Sequence, residues 1–160
     1  MAQPTDKVIL KAFLSPALEN LRRVTAQASL EKLDLALELP RGMVIVRIAI
    51  KGRLAGATYW CFEQSLARAV AEAALPEQAE EPAVVADAAA EFANLVVGNA
   101  SGALLATGHP IEFAPPEMQS QSMQAFRAPG LARLRIASSA GRLQVIVDLK
   151  PAPPPPPPDA

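Results

Sequence analysis

The longest stretch with one unbroken hydrophobic period is Val84 to Ala106, which reads as a single long helix. Everything around it is short. Leu33 to Leu39 alternates leucine with Asp34, Ala36 and Glu38, the pattern of a half-buried strand. Pro40-Arg41-Gly42 supplies a turn, Met43 to Lys51 a second strand, and Ala57 to Phe62 a third after the turn Gly52 to Gly56. Glu63 to Leu75 carries a helical stripe of Leu66, Val70, Ala73 and Ala74, and the acidic connector Pro76 to Pro82 follows it. Beyond the long helix come a short strand, Ile111 to Phe113, stopped by Pro115-Pro116, and a polar exposed loop over Met118 to Pro129. Leu131 to Ala137 and Leu143 to Leu149 then form a hairpin around Ser138 to Gly141. Near the N-terminus, Phe13, Leu14, Ala17, Leu18, Leu21 and Val24 have helical spacing within Lys7 to about Ala28. Pro16 suits a first turn, which places the start of that helix near Ser15 as its cap. Short turns between strands favour antiparallel pairing, so the order predicts an α+β fold with a mostly antiparallel sheet. A helix followed by strands in each half adds a faint two-fold character.

Composition narrows the chemistry. The 160 residues suit one domain, and 51% apolar with only 4% aromatic residues implies an aliphatic core. A net charge of -1 argues against nucleic-acid binding, which needs a basic surplus on one face. The single cysteine, Cys61, excludes an internal disulfide and a cysteine-based zinc site. The single histidine, His109, excludes paired-His metal sites, so no metal ligand set is expected. Of sixteen prolines, seven fall in the last ten residues. The expected division is therefore a domain over 1–150 and a disordered, polyproline-type tail over 151–160. Val8-Ile9-Leu10 is too short for a secretory core, and no run approaches the ~18 apolar residues of a membrane helix. A soluble cytoplasmic protein without membrane contact is expected.

On a wheel of about 100° per residue, Val85, Phe92, Leu95, Val96 and Ala103 gather on what reads as the buried face of the long helix. Asp87, Glu91, Asn94 and Gly98 gather nearly opposite, within roughly 60° of one another. No Lys or Arg shares that stripe, so its carboxylates lack helical ion-pair partners. Such a stripe suits docking of a basic or cation-lined partner. Taken alone, it is more often the appearance of an ordinary solvated helix face. Asn99 points toward the apolar side and is expected to hydrogen-bond the adjoining loop. His109 reads as a turn residue and Cys61 as a small core hydrophobe. Gly98 to Gly102 does not follow a strand, so it is not a phosphate-binding loop.

The stretch Asp87-Ala-Ala-Ala-Glu91-Phe-Ala-Asn94-Leu-Val-Val-Gly98-Asn99-Ala, with Gly108-His-Pro-Ile and Pro115-Pro116 beyond it, resembles the signature of the CheC/CheX/FliY chemotaxis phosphatases. That pattern is an Asp or Ser, Glu four residues on, Asn three further, and a proline some twenty-odd residues later. Pro116 corresponds to that proline with the spacing off by about one. Relatives with two sites carry the motif on both symmetry-related helices. Here the first helix reads Ala17-Leu18-Glu19-Asn20-Leu21-Arg22, with Arg22 where the motif wants Asn. One site per chain follows, which makes the chain CheX-like rather than CheC-like and disfavours a FliY-type switch component.

The resemblance implies a CheC-like pseudo-two-fold fold with the site on the long helix. It also implies hydrolysis of the phospho-aspartate of a CheY-like receiver domain in chemotaxis or two-component signalling. Asn94 would order the attacking water, and Glu91 would pair with the receiver's lysine. Asp87, Gly98 and Pro116 would contact the partner. No cofactor of the chain's own is implied, since Mg²⁺ is expected in the receiver. A homodimer through the sheets is implied too, suiting an edge strand near Leu143 to Leu149. Two alternatives stand beside this reading: a non-catalytic CheX-like module that binds receivers or other signalling proteins, and a structural homo-oligomer with the stripe buried in its own interface.

Overall fold

Alternating strands and periodic helices fold into three α-helices and one antiparallel sheet in the computed structural model, which describes residues 6–33, 42–119 and 132–152. The first helix, α1, runs Asp6–Val24 with Pro16 inside it rather than at its start. Proline removes one helical N–H and crowds the preceding turn, at a cost of ~3 kcal/mol. The helix before it buries Ile9, Ala12 and Phe13, and the helix after it buries Ala17 and Leu21. That continuous apolar face outweighs the local cost, so the expected cap at Ser15 does not form.

The chain then enters β1, Ala28–Leu33. Its sequence, Ala-Ser-Leu-Glu-Lys-Leu, lacks the clean alternation that signals a strand, and Leu30 is exposed. The strand expected over Leu33 to Leu39 shares only Leu33 with β1; its remainder lies outside the described residues. Next come β2 Val44–Gly52, β3 Leu54–Phe62 and α2 Gln64–Ala74, each within a few residues of its sequence expectation. A single helical turn at Pro76–Gln78 leads into α3, Pro82–Ala106. The strands β4 Ile111–Phe113 and β5 Glu117–Gln119 follow, then the hairpin β6 Ala132–Ser138 and β7 Gly141–Pro151. The expected exposed loop thus begins inside β5, whose residues pair with Ile45, Val46 and Arg47; its stretch beyond Gln119 lies outside the described residues.

The sheet order is β1-β6-β7-β3-β2-β4, with β5 also on β2. Every pairing is antiparallel. β7 is central, bonded to β6 on one side and to β3 on the other from Phe62↔Leu143 to Leu54↔Pro151. The expected dimer edge near Leu143 to Leu149 is therefore not an edge. Its backbone groups are already used, and among the described residues the outer strands are β1, β4 and β5. β7 ends in contact with the domain: the Ala152 N–H donates to the Arg53 carbonyl at 3.0 Å.

Period-two alternation separates the two faces of the sheet. Val46, Ile48 and Ile50 of β2, Trp60 and Phe62 of β3, and Leu143, Val145 and Val147 of β7 join the helices in the main core. Phe62 meets Phe92 of α3 edge-on at 5.7 Å between ring centroids, and Phe13 of α1 tilts against Trp60 at 6.4 Å. A second cluster on the alternate residues holds Ile45, Tyr59, Cys61 and Ile146. Burial pushes the Cys61 thiol far up, only partly opposed by the Arg133 charge, so it stays protonated as a small core hydrophobe.

The tip of the β6–β7 hairpin fixes where α2 begins. Gly141 adopts φ 143°, and a Cβ there would lie 2.7 Å from Ser65 Oγ and 3.2 Å from Leu66 N. Alongside, the Glu63 N–H donates to the Arg142 carbonyl at 3.0 Å, while Glu63 Oε1 accepts the Arg142 N–H at 2.9 Å.

By length and composition alone, α3 could cross a membrane, which the sequence reading did not foresee. Eight of its residues are nevertheless buried in the domain, and it packs against both α1 and α2. It is a core helix. Phe92, only 6% exposed, is its principal anchor. Phe92→Ala is expected to destabilise the fold by about 3–5 kcal/mol, measured as a lower midpoint in urea denaturation at unchanged slope.

Candidate functional site

The buried face of α3 consists of Val85, Ala89, Phe92, Ala93, Val96, Val97, Ala100 and Leu104. This arc is rotated roughly 60° from the one inferred from hydropathy. Leu95 is 52% exposed, and Ala103 is exposed too. Alanines at 89, 93 and 100 let α3 sink between α1 and α2 with the sheet beneath, and this close approach leaves Leu95 on the flank. Asn99 is exposed as well, contrary to its expected role. The helix is tied to the start of β4 by a neighbour instead: Ser101 Oγ donates to the Ile111 carbonyl at 3.4 Å. His109 occupies the turn after α3, with Nδ1 3.2 Å from Thr107 Oγ1.

The four stripe residues remain together. Asp87 and Glu91 are exposed, while Asn94 and Gly98 are half-buried. Among the described residues neither carboxylate has an ion-pair partner. Intervals of four, three and four residues align them along one side of the helix. Gly98 faces β4: a Cβ added there would meet Phe113 Cζ at 3.7 Å, an ordinary contact. Internal packing therefore does not demand glycine at this position. Pro116 is half-buried in the connection between β4 and β5, two strands against which α3 packs.

The corresponding stretch of α1 is committed to local structure. Arg22 Nε donates to the Ala28 carbonyl at 3.1 Å, closing the connection to β1. Glu19 pairs with Arg23 at 3.5 Å, and Asn20 is buried, donating to the Pro16 carbonyl at 2.7 Å. Three residues after Glu19 stands Arg22, held on the Ala28 carbonyl, and Asn20 is buried, so α1 holds no counterpart of the Glu91/Asn94 pair.

Beside the stripe lies a groove of about 490 Å³. Val70 and Ala71 of α2, with Leu75 just beyond its end, line one wall; Ala88, Phe92 and Leu95 of α3 line the other. Asp87 and Glu91 border it, so groove and stripe share two residues. The wheel missed this feature because it placed Leu95 inside. The available signal was a leucine next to Asn94 at the margin of the apolar arc, matched by Leu75 at the end of α2.

The fold and the outward Glu-x-x-Asn helix define a CheC-like α+β protein. Residues 44–137, more than half of the chain, match the family described as "Chemotaxis phosphatase CheX". The chain belongs to that family. Among solved structures it resembles the chemotaxis protein CheX from Vibrio vulnificus at 22% identity and a TM-score of 0.74, covering 89% of this chain and 99% of that one. A CheC-like protein from Shewanella oneidensis superposes at TM-score 0.76 with 22% identity, over 91% of this chain and all of the other. CheX in the CheX–CheY–BeF3–Mg²⁺ complex from Borrelia burgdorferi matches at TM-score 0.68 and 18% identity, over 93% of this chain and 99% of that one. These likenesses establish the shared fold. No curated protein matches.

Since the space at Gly98 accepts a methyl group, Gly98→Ala is expected to raise stability by up to about 1 kcal/mol through helix propensity alone. Thermal melts of the two proteins check this; a lower melting temperature would show that Gly98 is needed for packing.

Proposed function

We propose that this protein hydrolyses the phospho-aspartate of a CheY-like receiver domain, with Asn94 orienting the attacking water and Glu91 fixing the docked receiver. One observation carries the reading. Glu91 and Asn94 stand three residues apart on the outward side of a helix whose opposite side is locked in the core. The family of the chain and the absence of ion-pair partners for Glu91 among the described residues support it further.

An acyl phosphate is already activated, so catalysis needs little beyond a water held in line with phosphorus. The water oxygen bonds to phosphorus, the bond from phosphorus to the aspartyl oxygen breaks, and the receiver carboxylate and inorganic phosphate are the products. A carboxamide can accept from that water and donate to a phosphoryl oxygen, which suits Asn94 to positioning rather than proton transfer. Glu91, one turn earlier, suits pairing with a receiver lysine. Asp87 extends the acidic contact, Gly98 admits close approach of the partner backbone, and Pro116 borders the same surface. Mg²⁺ belongs to the receiver, in keeping with the composition of the CheX–CheY–BeF3–Mg²⁺ complex. The site of action is the cytoplasm, with its receiver partner.

Asn94→Ala is expected to lower kcat for phosphate release from a phosphorylated receiver by at least about 100-fold, while KM changes little. Unchanged kcat would exclude Asn94 from catalysis. Receiver binding without any hydrolysis by the unmutated protein would identify a non-catalytic binding module instead. Glu91→Gln is expected to raise KM and to flatten its dependence on ionic strength, because a screened charge pair is then lost. Titration of KM between low and moderate salt checks this.

A further inference from the structure

We infer that the groove between α2 and α3 is the specificity pocket of this site, taking an apolar side chain of the receiver that lies beside a lysine or arginine. The inference rests on the receiver reading above and deepens it. Two exposed leucines flank the groove: Leu75, 49% exposed at the end of α2, and Leu95, 52% exposed on α3. Exposed single leucines are ordinary, but here both line one apolar concavity floored by Val70 and Ala71.

Continuity with the stripe selects the occupant. Leu95 follows Asn94 directly, and Glu91 belongs both to the stripe and to the groove border. A partner that brings a phosphoryl group to Asn94 therefore covers Leu95 and closes over the groove. Charge selects further. Asp87 and Glu91 border the groove without ion-pair partners among the described residues, so an apolar side chain with an adjacent cation is complementary and one beside a carboxylate is repelled. Glu91 and Asn94 address features that phosphorylated receivers share. The groove lies beside Asn94 rather than at it, so it sorts partners by what they carry next to the phosphoryl group while Asn94 sets the rate.

The test uses full-length protein carrying Leu95→Asp, Leu75→Asp or the conservative Leu95→Met, each checked for folding by its thermal melt. Two readouts are taken: phosphate release from a phosphorylated CheY-type receiver, and affinity for the same receiver loaded with Mg²⁺ and beryllofluoride. Each aspartate variant is expected to raise KM and Kd by about tenfold or more with kcat near the unmutated value, while Leu95→Met stays close to the unmutated protein. Unchanged KM and Kd in a protein that does hydrolyse the receiver would overturn the groove assignment and leave the phosphatase reading standing. Binding without hydrolysis by the unmutated protein would overturn the phosphatase reading, and the groove would then stand or fall on Kd. Absence of both would overturn both. Conversion of a self-associated species to monomer by Leu95→Asp, with receiver Kd unchanged, would assign the groove to a second copy of the chain and overturn the inference.

Discussion

The seating of α3 on the sheet is the contact on which the rest of the structure depends. Phe92 meets Phe62 edge-on, and the small residues Ala89, Ala93 and Ala100 let the helix backbone come close to its neighbours. Aromatic pairs of this geometry add about 0.5–1.5 kcal/mol beyond the area they bury. More consequential is the orientation they impose. A helix held along one side cannot rotate, so residues on the other side have fixed directions. Glu91 precedes Phe92 and Asn94 follows it by two positions, and both inherit their placement from that anchor.

Rigid presentation matters because the proposed chemistry is positional. A site that only completes its partner's reactive centre needs few side chains, held firmly and open to approach. α3 satisfies both conditions: its inner side is packed and its outer side carries carboxylates without local partners. The same division appears in α1 with the opposite outcome. Glu19, Asn20 and Arg22 are engaged in bonds within α1 or to β1, so this helix serves packing and connection.

Much of this was legible in the residue order. The strands β2, β3, β4 and the β6–β7 hairpin follow from alternation and turn residues, and α2 and α3 from their period. The failures have identifiable causes. Pro16 reads as a helix start because its local cost is visible in sequence, whereas the compensating burial of Phe13 and Leu21 is not. β1 escaped notice because its stability comes from pairing with β6, a contact between residues about a hundred positions apart. β7 read as an edge because the crossover that inserts it between β6 and β3 leaves no local trace. Leu95 and Asn99 were misplaced because the covered width of a helix depends on how its neighbours straddle it.

The sequence by itself determined the α+β class, the family signature, and the alignment of Asp87, Glu91, Asn94 and Gly98 along one helix face. These are local properties, set by chain periodicity and by residue chemistry at fixed intervals. Only the tertiary structure decided that Leu95 faces outward, that Leu75 meets it across a groove, and that Asp87 and Glu91 border this groove as well as the stripe. The physical reason is that a groove belongs to two helices at once. Its existence depends on their separation, which packing against a shared sheet fixes and neither helix encodes alone.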